Sequence, residues 1–348
     1  MTMLHPKNIY RFFNYYTLNN VVVFMSHRFR DPSIGFTNSS ILTPFSPKVF
    51  KDCLEYLVKN NYTVLSCKDL VWLSQRKYDF YKTVCLTIDD GYIDFKNIAY
   101  PLLKKFNLPA TVFITTDFIE GKLMMWWDQL EYLIDNTKKP SLYVCLTDQI
   151  LTLPLRSKIE KTVAILTLTN QFKSFPLTII HYKLQQLSTT LEVTIPDKPP
   201  KKYSALCWND IREMEKDGID FQPHTVNHPI LSRIILSDQE WQIYKCIKSI
   251  NENINSDPIV FCYPNGTYKD FTKETVTILK KCNFAGACST ICDYFNPKNT
   301  DLFYIPRFPF PSNYNNFIET VSGCRRVKLA VKKRFYKLKG SLKNSLNQ

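Results

Sequence analysis

The sequence predicts an α/β fold built on parallel strands, and three observations carry that prediction. Short apolar runs alternate with helix-patterned segments along most of the 348 residues. One such run ends on two adjacent carboxylates and a glycine, Asp89-Asp90-Gly91. Another is followed by two histidines four residues apart, His224 and His228. Alternation of this kind argues for strands joined by helical crossovers. It fits a barrel whose site lies at the carboxyl ends of the strands.

Taken in order, strands are expected at 21–25, 62–66, 83–88, 110–115, 219–222, 258–262 and 284–288. Helical spacing is found at 47–59, 95–106, 208–217, 238–253 and 271–282. The first strand is too short to span a bilayer and runs into His27-Arg28. Residues 126–202 break the rhythm, with a helix at 126–135, a hairpin at 142–146 and 150–154, and two further helical stretches. Strand alternation resumes afterwards, so the segment reads as a mainly helical insertion on one domain spanning 1–324. No internal repeat is visible.

Composition narrows the class. An apolar content of 45%, 14% aromatic residues and only 8 glycines suit a packed enzyme rather than a disordered chain. Eleven cysteines without a CxxC pair fit a disulfide framework poorly and point to a reducing setting. With no export signal read in the first thirty residues, the expected location is cytoplasmic. The net charge of +14 is concentrated in a basic tail, 325–348, with nine Lys or Arg and no acid. Its apolar residues recur at helical spacing, a pattern that suits peripheral contact with the inner, anionic face of a membrane. Packing of that stripe on the domain is the alternative. Charge confined to a tail, without a recognised motif, argues against nucleic acid.

Asp89 and Asp90 lie at the mouth of a buried strand, where an extended backbone would send neighbouring side chains to opposite sides. Gly91 permits the sharp exit. Pro229 keeps His228 out of helical geometry and places the histidine pair on a strand-to-loop exit. One carboxylate with two imidazoles is a common ligand set for a hydrolytic divalent metal, leaving the second carboxylate free as a base.

The segments Thr87–Tyr92 and His224–His228 resemble the first two motifs of the NodB-type polysaccharide deacetylases, carbohydrate esterase family four. Residues 100–113, 208–220, the Phe261-Cys262-Tyr263-Pro264-Asn265-Gly266 stretch and Ile305-Pro306-Arg307 are similar to further family segments, so the likeness runs over roughly 20–310. It implies a distorted (β/α)7 barrel. It also implies one divalent ion, zinc first, with cobalt, nickel or manganese as alternatives, bound by Asp90, His224 and His228. Asp89 would be the general base for the metal-bound water. The backbone N–H of Asn265 would meet the oxyanion, Gly266 would allow close approach, and Tyr263 and Trp127 would line the substrate side.

The sequence departs from the family in places. Cys262 stands where many members carry an arginine that orients the base, and Arg307 is the candidate to replace it from another strand. Asn265 replaces an aromatic. No histidine follows His228, and His27, after the first strand, takes the place of the expected general acid. Trp126 and Trp127 could stack on a sugar face or serve as core. His5 and His181 remain unassigned.

The function expected is metal-dependent hydrolysis of an N-acetyl or other small acyl group from an amino sugar, in a glycan or a lipid- or nucleotide-linked precursor for cell-surface polysaccharide biosynthesis. A non-catalytic glycan-binding or scaffold protein on the same fold is the alternative, motivated by Cys262 and Asn265. An amidase for small molecules is a third reading.

Overall fold

The computed structural model describes residues 20–29, 46–146, 150–254 and 256–326. His5 and 327–348 of the basic tail lie outside the described residues. Five parallel strands form a continuous ladder in the order β10-β1-β3-β4-β7. They are β1 (Val22–Ser26), β3 (Thr83–Asp90), β4 (Ala110–Ile114), β7 (Ile219–Pro223) and β10 (Phe308–Pro309). The short β2 (Thr63–Leu65) pairs with the first residues of β3, and β4 pairs with its last four. A separate parallel pair, β8 (Val260–Cys262) and β9 (Gly286–Cys288), completes the ring.

The seam between β7 and β8 explains the distortion. No strand ladder joins them; instead Gln222, fully buried in β7, accepts from the backbone N–H groups of Ile259 and Val260, both at 3.0 Å. On the other side, Ser289 N–H donates to the Ile305 carbonyl and Arg307 N–H to that of Ile291, which leads the chain from β9 back to β10. A side-chain amide thus does the work of a strand pairing.

Why β3 is the axis follows from its sequence. All eight residues from Thr83 to Asp90 are buried, as expected for a strand covered on both faces. On one face Val84, Leu86 and Ile88 join the core beneath helix α1 (Pro47–Lys59); on the other, Cys85 packs with the cluster around Val71 and Cys288. The expected helix at 95–106 begins as a π-turn, Phe95–Ala99, and continues as Tyr100–Phe106. Helices at Cys67–Gln75 and Tyr314–Val321 were absent from the sequence reading.

The insertion forms as expected, with helix Trp126–Asn136, the hairpin Ser141–Cys145 and Ile150–Pro154, and helices Lys158–Phe172 and Leu177–Leu191. It has its own apolar cluster, in which Leu130, Ile134, Ile165, Leu168, Leu184 and Leu187 interdigitate. Tyr92 and Phe118 of the barrel share that cluster, so the insertion is packed onto the barrel.

Gln222→Met keeps the volume of the seam but orphans two buried N–H groups. Urea denaturation should show a loss of about 2–4 kcal/mol. Unchanged stability would mean that the seam does not depend on this amide.

Candidate active site

The carboxyl ends of β3, β7 and β8 converge on one cavity. Its lining includes Met25, His27, Asp89, Asp90, Trp126, Trp127, His224, His228, Tyr263, Asn265 and Thr290. The backbone turns sharply around it. Asp90, Thr225, His228 and Asn265 all have positive φ, at 75°, 70°, 59° and 60°. Such values are uncommon for residues with a Cβ and mark a backbone held by its surroundings.

One of these turns corrects an expectation. Strict alternation would place Asp89 and Asp90 on opposite faces of the strand, yet both line the cavity. The positive φ of Asp90 rotates its side chain out of the strand's alternation. Gly91 follows at φ +94°, where an added Cβ would lie 2.7 Å from Ile119 Cδ1.

Asp90 sits against both imidazoles, its Oδ1 3.7 Å from His224 Nε2 and 3.6 Å from His228 Nε2. Both of its carboxylate oxygens are buried without a hydrogen-bond partner. Burial, with Asp89 and then Asp128 nearby, pushes its pKa well above the ordinary carboxylate value. His224 Nδ1 lies 2.7 Å from the Cys262 carbonyl. The tautomer with hydrogen on Nδ1 leaves the Nε2 lone pair facing Asp90. Burial pushes the His224 pKa down to about 4 and holds His228 well below the usual histidine value.

These donors fit a divalent cation. Two neutral imidazole nitrogens and an unpartnered carboxylate, all within 4.8 Å of one another, match a three-ligand site. Separations of 3.6–3.7 Å are near the edge of a tetrahedron with bonds of about 2.0–2.2 Å. Asp89, His224 and Cys262 satisfy the same distance test. That set is chemically poorer, because Arg307 already occupies Asp89 and lies 3.1 Å from the Cys262 sulfur.

Asp89 is organised differently. Arg307, fully buried, donates Nη1–H and Nη2–H to its two oxygens at 2.7 and 2.8 Å. Thr87 Oγ1 and the Ser289 carbonyl accept the guanidinium's other hydrogens at 2.9 Å each. Burial alone would raise the Asp89 pKa, but Arg307 holds the carboxyl well below the usual range. The sequence-predicted arginine therefore reaches Asp89, as a core residue rather than a surface one. His27 Nε2 stands 3.7 Å from Asp89 Oδ2, with 29% of its side chain exposed. Burial, partly offset by Asp89, lowers its pKa.

The third family-like segment divides in two. Asn265 N–H donates to no acceptor among the described residues, while its side chain donates to Asp270 at 2.6 Å. Gly266, at φ +64°, lets the loop approach Tyr263 O and Thr290 N, which a Cβ would meet at 2.9 and 3.1 Å. Tyr263 is on the cavity wall, as expected, but its hydroxyl turns away from the cavity. Its hydroxyl donates to the Phe303 carbonyl at 3.1 Å and its ring stacks on Phe271 at 3.7 Å, so the phenol serves the core.

Trp127 is also a packing residue. Its indole meets the His228 ring edge-on at 4.8 Å, and Nε1–H donates to Tyr92 Oη at 2.9 Å. Tyr92 donates to Asp128, and Arg28 covers the tyrosine ring while pairing with Asp94. Burial pushes Asp128 up to about 7. Sequence reasoning did not find this network behind the histidines, since nothing in Tyr92, Asp128 or Arg28 marks them as neighbours. It also missed Thr169, Lys173, Phe175, Leu177 and Ile180, which the insertion contributes to the cavity wall.

Comparison with known proteins identifies the family and the fold. Residues 78–287 match the polysaccharide deacetylase family model, and the chain belongs to that family. A 90-residue stretch is 35% identical to YxkH of Bacillus subtilis, named for the same family. It covers 26% of this chain and 32% of that protein, so the chain spans about a third of the relative's length. Among solved structures, the Streptococcus pyogenes deacetylase PplD in complex with acetate aligns over 87% of this chain and 98% of its own, with TM-score 0.58 and 18% identity. IcaB from Ammonifex degensii aligns over 87% and 96%, with TM-score 0.55 and 15% identity. At these identities the likeness establishes the fold, the distorted barrel.

Asp90 also makes a stability prediction. A carboxyl whose folded pKa is raised contributes most below its unfolded pKa, and that contribution is lost as pH rises through the folded value. In chelator-treated protein at pH 8, Asp90→Asn should melt a few degrees above the unsubstituted chain, and the gap should close towards pH 5. A lower melting temperature for the variant at pH 8 would show that this carboxylate has a partner.

Proposed function

We propose that this polysaccharide deacetylase family member is a metal-dependent hydrolase that removes an N-acetyl, or similarly small acyl, group from an amino sugar of a glycan or glycan precursor. The observation that carries the reading is the division of labour between adjacent carboxylates. Asp90 is buried, unpartnered and flanked by two imidazoles, whereas Asp89 is neutralised by Arg307 and faces the same cavity.

Asp90, His224 and His228 would hold the divalent cation, zinc being the first choice for two imidazoles and a carboxylate. When bound, such an ion lowers the pKa of a coordinated water and polarises the acyl carbonyl. Everything else falls to the chain. Asp89, kept ionised by Arg307, takes a proton from the attacking water as its oxygen bonds to the acyl carbon. The unengaged N–H of Asn265 would donate to the developing oxyanion. The carbon–nitrogen bond then breaks, acetate leaves, and the amine takes a proton. His27, 3.7 Å from Asp89 and partly open to the cavity, is the residue proposed to deliver it, relaying the proton that Asp89 took from the water.

The alternative of a pure binding protein is disfavoured by the same geometry. A buried arginine anchored by Thr87 and Ser289 to keep Asp89 ionised has no purpose in a site that only holds sugar. Arg307 in this arrangement also supplies the guanidinium that Cys262 lacks.

Two variants test the assignment. Asp89→Asn should lower acetate release from acetylated amino-sugar oligomers by about 10²–10⁴-fold, with metal content by mass spectrometry unchanged. Full activity would remove Asp89 as base. Arg307→Met leaves burial unopposed at Asp89 and raises its pKa. The pH–rate profile should gain an acid limb in which activity falls as pH drops through that raised value. Because removing one partner of a buried pair costs about 3–5 kcal/mol, the assay belongs well below the variant's melting temperature. An unshifted profile would contradict the role given to Arg307.

A further inference from the structure

The cavity is not bounded by the barrel alone. Helix Lys158–Phe172 and the turn into Leu177–Leu191 place Thr169, Lys173, Phe175, Leu177 and Ile180 on its wall, opposite Asn265 and Thr267. Its volume of about 300 Å³ is at the small end of ligand sites. That suffices for one sugar ring with its acetamido arm.

Lys173 is the only Lys or Arg among the described lining residues. It makes no ion pair and donates no side-chain hydrogen bond to a described residue, although it is half-buried. The acid nearest in effect is Asp270. Its Oδ2 is already engaged by Asn265 Nδ2 at 2.6 Å, Thr267 N–H at 2.8 Å and the Thr267 hydroxyl. Of the two lining carboxylates, Asp89 is matched by Arg307, and Asp90 faces the two histidines. Lys173 therefore remains as a cation on the cavity wall with no direct ion pair among the described residues; Asp270, whose hydrogen bonds come from neutral donors, acts on it only at a distance. Burial lowers its pKa, partly offset by Asp270, as expected for an ammonium partly stripped of water.

We propose that Lys173 selects a substrate whose acetamido sugar itself carries an anionic group, a phosphate ester or a carboxylate. This deepens the deacetylase reading and rests on it for the acyl-group chemistry, but the binding preference can be measured separately. An anion on the ring would supply the direct ion pair that Lys173 lacks among the described residues, and a half-desolvated ammonium binds such a group more strongly than one in open water. The apolar neighbours Phe175, Leu177 and Ile180 are suited to the sugar's carbon skeleton. Lys173 is thus a specificity residue; the bond-breaking groups are those already described.

The test uses the full chain loaded with zinc. Calorimetry compares binding of N-acetylglucosamine 1-phosphate, N-acetylmuramic acid and neutral methyl N-acetylglucosaminide to the parent, Lys173→Met and Lys173→Arg proteins. At least one anionic sugar should bind about tenfold or more tightly than the neutral one. Lys173→Met should abolish that preference, Lys173→Arg should retain it, and the neutral sugar should bind all three alike, which also reports intact folding. Preference for the phosphate or for the carboxylate identifies the source of the anion. Equal binding of charged and neutral sugars, binding of none, or a preference that survives Lys173→Met overturns the proposal. Acetate release is followed in parallel. Charge-selective binding without release would contradict the hydrolase reading and leave Lys173 in place, whereas release without charge selectivity would do the reverse.

Discussion

Two neighbouring carboxylates buried at the end of one strand are the constraint around which this molecule is arranged. Asp89 and Asp90 are 2% and 1% exposed, and two like charges at that depth cannot both be ionised without compensation. The fold compensates only one of them. Arg307 arrives from the residue before the last strand, fixed by Thr87 and Ser289, and clamps Asp89 with two hydrogen bonds. Asp90 receives none and faces two imidazoles that burial keeps neutral. In the proposed reaction this asymmetry divides a base from a ligand even though the side chains are chemically identical.

That arrangement explains the cluster of uncommon backbone conformations. Asp90, Thr225, His228 and Asn265 sit at positive φ because each turn must aim a side chain or an N–H at one point. Their neighbours hold them there. Thr225 Oγ1 accepts from His228 N–H at 3.0 Å, and Gln242 accepts from Val226 N–H at 3.0 Å while donating to Asn227. Behind the histidines, the chain of hydrogen bonds from Trp127 to Tyr92 to Asp128 fixes the indole against His228. Such support residues commonly set the orientation of metal-binding imidazoles.

Much of this was legible in the sequence, and the parts that were not have physical reasons. The strand at 83–88 and its acidic end could be read because a doubly covered strand is a continuous apolar run, and a carboxylate at its mouth breaks that pattern. The histidine pair was visible for the same reason. Arg307 could be nominated once Cys262 left Asp89 without a partner, yet its distance of 218 residues along the chain is closed only by the barrel. The opposite-face placement of the two aspartates failed because period-2 reasoning assumes extended backbone, which Asp90 abandons. The direction of the Tyr263 hydroxyl was not legible, because a tyrosine on the cavity wall can still turn its hydroxyl into the core. The insertion was recognised as helices, but nothing local to Lys173 or Phe175 shows that their turn closes over the barrel mouth. That is a property of packing between distant segments.

The most direct test of the account is X-ray absorption at the zinc edge of the loaded protein, read for the identity of the ligands. The account predicts a shell of nitrogen and oxygen at about 2.0–2.1 Å with outer scattering from two imidazoles, contributed by His224 and His228 beside Asp90. A sulfur scatterer at about 2.3 Å would instead place the ion on Cys262 and Asp89, and would contradict the separation of ligand from base on which the rest is built.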